Sequence, residues 1–155
     1  SVVKIYYACC IYFIALIGYA HFTELKIKKP VLRQSVAKKY LTGILNLMES
    51  EKLYLNPNLS ISLLANKLNT NSVTISSVIN NELRQSYNDF VNSYRVKEVK
   101  RRLSTSDAER YTLIAIAMES GFKSKTTFYR AFQKTENESP SAYLQKKKHL
   151  NTTTN

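Results

Sequence analysis

Breakers are scarce in this 155-residue chain: glycine and proline number three each. An all-β fold needs many tight turns, so this scarcity disfavours strands and favours helices. Cysteine is nearly absent. Cys9 and Cys10 are adjacent inside an apolar run, and there is no third cysteine to partner either. That excludes a disulfide framework and a thiolate zinc site, and the pair reads as two small apolar side chains. The two histidines, His21 and His149, stand alone near opposite ends, which argues against a histidine-based metal or catalytic site. Paired carboxylates, a nucleophile motif and a glycine-rich phosphate loop are all missing, so neither an enzyme activity nor a cofactor is expected. Acidic side chains are in deficit too, 11 against 23 basic ones, for a net charge of +12. A basic excess attracts polyanions: nucleic acid, an anionic membrane surface or an acidic protein. Charge alone does not choose among them.

The hydrophobic fraction is 44%, enough for a packed core. Part of it is concentrated at the front. Residues 5–22 read IYYACCIYFIALIGYAHF, without a formal charge. As a helix this run spans about 27 Å, close to the ~30 Å hydrocarbon core of a bilayer. Tyrosines at its ends suit a membrane interface, and Lys26, Lys28 and Lys29 follow at once. A transmembrane segment is therefore expected over residues 1–25, with a basic juxtamembrane linker over 26–35 and the following domain on the cytoplasmic side. A signal peptide and a buried core helix are the rival readings. Gly18-Tyr19-Ala20 resembles a cleavage site, but the run is long for such a peptide. The chain starts at Ser1, so a further region upstream, able to dimerise, is also an expectation. Residues 149–155 read as a polar, disordered tail.

Between these ends the apolar spacing is helical. Pro30 marks an expected break, and Val36, Tyr40, Leu41, Ile44, Leu45 and Met48 form one buried face after it. Asn56-Pro57-Asn58 is a turn. Ser60 is placed to cap a short helix carrying Leu63, Leu64, Ala65 and Leu68. Asn69-Thr70-Asn71 breaks it, and Asn71 caps a second helix carrying Val73, Ile75, Val78 and Ile79. A longer helix is expected over residues 86–103. Its apolar face is Tyr87, Phe90, Val91, Tyr94, Val99 and Leu103; its polar face carries Arg95, Lys97, Glu98, Lys100, Arg101 and Arg102. Residues 104–107 form a polar loop. Thr112 then caps a short helix with Leu113, Ile114, Ile116 and Ala117. Gly121 supplies a turn, Ser124 caps a helix with Phe128 and Phe132 inward, and Pro140 opens a last helix docked by Tyr143 and Leu144.

The pattern is used twice. Ser60 and Thr112 are capping hydroxyls, and Ala65 and Ala117 are small residues at a close helix crossing. Ile75 with Ile79 and Phe128 with Phe132 follow at nearly the same offset. Helix, tight turn, helix at this spacing is the helix-turn-helix device. The exposed face of the first second-helix offers Ser72, Thr74, Ser76 and Ser77. That of the other offers Lys125, Thr126, Thr127, Tyr129 and Arg130. Hydroxyls, lysine and arginine on a protruding helix suit base edges, while Lys123, Lys134, Arg95 and Lys97 are expected to meet phosphates.

Residues 36–148 resemble the C-terminal DNA-binding domain of AraC/XylS-type transcription regulators. The carrying segments are LSISLLANKLNTNSVTISSVIN, YNDFVNSYRVKEVKRRL and IAIAMESGFKSKTTFYRAFQKTENESPSAYL. The resemblance implies an all-α fold: two helix-turn-helix subdomains joined by a long linker helix, preceded here by the expected transmembrane helix. It implies recognition helices over residues 71–79, with Val73, Ser76 and Ser77 at base-reading positions, and 124–134 that enter successive major grooves of double-stranded DNA, and a function in sequence-specific transcription regulation. RNA polymerase is an implied partner. With its front segment the chain is similar to membrane-linked regulators of the Bacteroidetes type, anchored in the bacterial inner membrane through residues 5–22. The other reading of the same residues is a nonspecific basic module for nucleic acid or anionic membrane. Two departures from the family pattern stand out. Arg84 and Asn137 lie near positions where the family has glycine, and of the two asparagine tolerates the left-handed backbone better.

Overall fold

The computed structural model describes the backbone of residues 2–153 and the side chains of residues 11–19 and 34–147. All regular structure among the described residues is helical. The chain divides into two compact units, Ser1–Lys39 and Tyr40–Asn155.

The first unit lies within helix α1 (Val2–Glu49). Residues 11–19 are exposed throughout. Half of the expected transmembrane run, residues 5–22, lies outside the described side chains. Among the described residues no helix is long and apolar enough to cross a membrane. The expected break at Pro30 is absent, because α1 is continuous across it. A proline removes one helix hydrogen bond and strains the preceding turn. Here the good helix formers that follow, Leu32, Arg33, Gln34, Ala37, Lys38 and Lys39, carry the helical backbone on.

The second unit begins with the end of α1, where Ile44, Leu47 and Met48 are buried. A short 3-10 turn, η1 (Leu53–Leu55), follows. Next come α2 (Ile61–Lys67) and α3 (Ser72–Leu83), packed on each other. Their caps are the expected ones. Ser60 Oγ accepts from the Leu63 N–H at 3.2 Å, and Asn71 Oδ1 accepts from the Thr74 N–H at 2.8 Å. Leu64, Ala65, Ile75, Val78 and Ile79 close the buried side of this pair.

Helix α4 (Tyr87–Arg102) starts on its Ser86 cap and packs against η1, α3, α6 and α7. A short helical turn, α5 (Asp107–Arg110), begins at the last residue of the loop expected over 104–107. Then come α6 (Leu113–Glu119), capped by Thr112, α7 (Lys125–Glu136), capped by Ser124, and α8 (Pro140–Thr153). Helical backbone in α8 thus extends to Thr153, further than a polar tail from residue 149 implies. Val96, Val99, Leu103, Ile116, Ala117, Phe122, Phe128, Ala131 and Phe132 form one core, with Tyr143 and Leu144 packed on it. Its rings meet edge-on: Phe128 lies 5.3 Å from Phe122 and 5.7 Å from Phe132. Phe→Ala at such a site costs about 3–5 kcal/mol.

Two charged residues of α4 are not on its solvent face. Arg95 is 7% exposed and Glu98 8% exposed. Arg95 Nε donates to the Tyr54 carbonyl at 2.8 Å and its terminal nitrogen to the Asn56 carbonyl at 3.0 Å. The guanidinium stands 5.9 Å from the Phe122 ring centre. It thereby supplies a donor to the Tyr54 carbonyl of η1 and a second donor to the Asn56 carbonyl, which also accepts from the Leu59 N–H at 3.1 Å. Gly121 completes this junction. It has φ +96°, and a Cβ there would lie 2.2 Å from the Tyr54 carbonyl oxygen and 2.9 Å from Arg95 Nε. Only glycine fits both the backbone and the space.

Candidate nucleic-acid interface

Helices α3 and α7 have the same plan. Each opens on a capping side chain, buries its fourth, seventh and eighth residues, and ends in a left-handed residue. In α3 these are Ile75, Val78, Ile79 and Arg84 (φ 56°); in α7 they are Phe128, Ala131, Phe132 and Asn137 (φ 58°). Helical periodicity then turns the first, second, fifth, sixth and ninth positions outward. In α3 they are Ser72, Val73, Ser76, Ser77 and Asn80; in α7 they are Lys125, Thr126, Tyr129, Arg130 and Gln133. Ser72, Ser76 and Tyr129 are half-buried, and the rest are exposed.

Most of the residues expected to read bases therefore share one stripe on each helix. Thr74 and Thr127 do not. They sit at equivalent positions, half-buried, and serve the caps. Thr74 Oγ1 donates to Asn71 Oδ1 at 3.1 Å, and Thr127 Oγ1 is 2.9 Å from Ser124 Oγ. The stripes gain two residues that sequence reasoning missed, Asn80 and Gln133. The offset relating Ile79 to Phe132 also relates Asn80 to Gln133, so the signal was present in the repeat.

The electrostatics differ between the helices. Among residues 72–83 there is no lysine or arginine, and Glu82 is the one charge. Helix α7 carries Lys125, Arg130 and Lys134. Lys125 Nζ lies 5.6 Å from the Tyr129 ring centre, which holds the cation over the stripe.

The four expected phosphate contacts separate. Lys123 and Lys97 are exposed. Lys134 is exposed but ion-paired with Asp89 of α4 at 2.7 Å, and that hydrogen bond, more than any other cause, holds the Asp89 carboxyl below the usual carboxylate range. Arg95 is a correction. Its buried guanidinium is committed to two backbone carbonyls, so it braces the fold and is not presented to a phosphate. Its residue type suggested solvent; its partners, about forty positions away in sequence, decided otherwise.

Lysines and carboxylates also pin α7 to α4. Besides Lys134 and Asp89, Lys100 pairs with Glu136. Arg102 joins α4 to Asp107 at 2.7 Å and to Glu119 of α6 at 2.6 Å. Lys147 of α8 donates to the Leu103 carbonyl at the end of α4 at 2.6 Å, and burial pushes this ammonium down from its ordinary value.

A helix-turn-helix domain family matches residues 64–146, more than half of the chain. Solved structures are similar over comparable lengths. A protein of unknown function from Listeria innocua superposes with TM-score 0.58 at 26% identity, covering 68% of this chain and 94% of that one. The C-terminal domain of AraT, a response regulator from Geobacillus stearothermophilus, gives TM-score 0.56 at 23% identity, with 72% and 84% covered. The C-terminal domain of the two-component response regulator yesN from Fusobacterium nucleatum gives 0.55 at 24%, with 65% and 93% covered. At those identities the latter two likenesses speak to the fold alone. No curated protein matches.

Proposed function

The chain belongs to the AraC-type family of helix-turn-helix domains, DNA-binding transcription regulators, and we propose that it recognises a specific double-stranded sequence through α3 and α7 together. The observation that carries this reading is the duplicated stripe. Five outward positions recur on both helices, each framed by a cap before it and a left-handed residue after it. A nonspecific basic module needs cations only; it does not need two reading faces in matched frames. In this reading α4 is the linker helix that holds the two units, and each stripe addresses its own major-groove segment, about 34 Å apart.

Footprinting across a range of salt concentrations tests it. A defined footprint with affinity falling steeply as salt rises is expected. Equal protection of every sequence supports the nonspecific module instead. Arg130→Ala sharpens the test. If Arg130 is bidentate to guanine, its loss relaxes preference at one base pair and costs about 1–3 kcal/mol. Uniform weakening on all sequences assigns Arg130 to the backbone.

Membrane attachment through residues 5–22 is a second part of the proposal, supported by the uncharged run and the lysines after it. The reading domain then works on the cytoplasmic side, where DNA and RNA polymerase are within reach. Fractionation of cells making the chain with and without residues 5–22 tests it. Loss of the membrane-bound fraction on deletion is expected; an unchanged distribution contradicts it.

A further inference from the structure

Helix α3 has an unusual reading face. Val73 is 78% exposed, the highest value for a large hydrophobic side chain among the described residues. It stands on the second residue of the helix, just past the Asn71 cap. Ile61, Ser72, Ser76, Ser77 and Asn80 surround it in an open depression of about 430 Å³. Ser77 Oγ accepts from Asn81 Nδ2 at 3.1 Å, and Ser72 Oγ lies 3.3 Å from Ser62 Oγ. Among the described residues the Asn80 carboxamide, exposed two turns after Val73, has no hydrogen-bond partner.

Base chemistry discriminates what such a face can take. Guanine offers two acceptors in the major groove and is matched by arginine or lysine. Residues 72–83 carry neither. Thymine alone offers a methyl group, which needs an apolar partner, and adenine offers an acceptor and a donor that fit one carboxamide. Val73 and Asn80 supply those two complements. Seven residues apart, they are separated by about 10 Å along the helix and so meet different base pairs.

We infer that α3 reads a half-site containing A·T pairs, with a thymine 5-methyl packed on Val73 and an adenine held through N6 and N7 by the Asn80 carboxamide. This rests on the proposed role of α3 as a reading helix. The guanine-matching cations lie on α7, so the two half-sites differ in composition. Serine hydroxyls at 76 and 77 are short and accept either donor or acceptor edges, so they add hydrogen bonds without overriding the choice made by Val73 and Asn80.

Selection of preferred sites from a random DNA library by the full chain supplies the probe. Each thymine of the selected site is then replaced singly by uracil, which removes only the methyl group. Each adenine is replaced by 7-deazaadenine, which removes only N7. At one position the uracil site binds the unaltered chain about fourfold more weakly, the worth of one buried methyl group. Val73→Ala, a change at an exposed position that leaves the core intact, binds thymine and uracil sites equally; Val73→Ile keeps the preference. At another position 7-deazaadenine weakens the unaltered chain and leaves Asn80→Ala indifferent. Uracil tolerated everywhere, or a uracil effect that persists in Val73→Ala, overturns the inference while sequence-specific binding stands. A library that yields no preferred site overturns base reading itself, and the inference with it.

Discussion

Arg84, like Lys52, is a long side chain held on a left-handed backbone in the second unit. It closes α3 with φ 56°, where a side chain costs about 1 kcal/mol or more and glycine does not. Asn137 closes α7 at φ 58° with less strain, because its short carboxamide tolerates this region. Arg84→Gly should therefore stabilise the protein by about 0.5–1 kcal/mol, offset in part by the looser unfolded chain. A thermal melt rising by a few degrees checks it, and Asn137→Gly should raise it less. Glu98 is a second residue whose setting makes a forecast. The hydrogen bond from Arg101 holds its carboxyl below the usual carboxylate range, against the opposing pull of burial. The folded pKa thus lies under the unfolded one. As pH falls, the unfolded chain takes up the proton first, so the stabilisation is full above the ordinary carboxylate range and is lost as pH drops through the folded value. Asp89, lowered by Lys134, adds to the same trend. The urea midpoint should fall between about pH 6 and pH 3. In Glu98→Gln it should start lower and fall less.

In the proposed reading, helices α3 and α7 divide the work of binding unequally. Only α7 brings cations, so the release of counterions belongs mainly to its half of the interface. Lys123→Ala, at the exposed turn before α7, should weaken all sequences alike and lower the slope of log affinity against log salt by about 0.9. Ser76→Ala on α3 should leave that slope unchanged. Parallel titrations over several salt concentrations read both. The elements themselves were mostly legible in the sequence. Ser60, Asn71, Thr112 and Ser124 announce helix starts because a cap is a local interaction between neighbours. Phe128 and Phe132 announce a buried face because one helix period sets them together. What was hidden depends on partners distant in sequence. Arg95 and Glu98 look like solvent residues of a basic helix until η1 arrives with the Tyr54 carbonyl and side chain. Val96, fully buried, is masked in the sequence by the charges around it. Thr74 and Thr127 looked like base readers because their type suits either role, and only the cap geometry decides.

The duplication runs further through the molecule than the motif pair first suggests. Ser60 with Thr112, Asn69 with Gly121, Asn71 with Ser124, Arg84 with Asn137 and Ser86 with Ser139 all hold matching places. Asn69 has φ 50° and Gly121 φ 96°, both left-handed in the turn between the paired helices. Thr70 N–H donates to the Ala65 carbonyl at 3.0 Å, as Phe122 N–H does to that of Ala117 at 3.2 Å. Phe90 N–H donates to the Ser86 carbonyl as Tyr143 N–H does to that of Ser139, so α4 and α8 also begin alike. Each unit is thus a helix pair followed by a capped helix, and α4 closes the first while packing on the second. A frame repeated this closely should let a reading face move between copies. Grafting the α7 stripe onto α3, as Ser72→Lys, Val73→Thr, Ser76→Tyr, Ser77→Arg and Asn80→Gln, changes outward positions only. It leaves Ile75, Val78 and Ile79 in the core. The stability change should stay within about 1 kcal/mol, the range of surface substitutions summed with partial cancellation. Selection from random DNA should then return the α7 subsite twice, spaced as the two original half-sites are, and the salt slope should steepen. If the grafted chain folds and still selects the original α3 half-site, the outward stripe is not what reads the DNA. The turn before α3 and the N-terminus of α2 then become the residues to test.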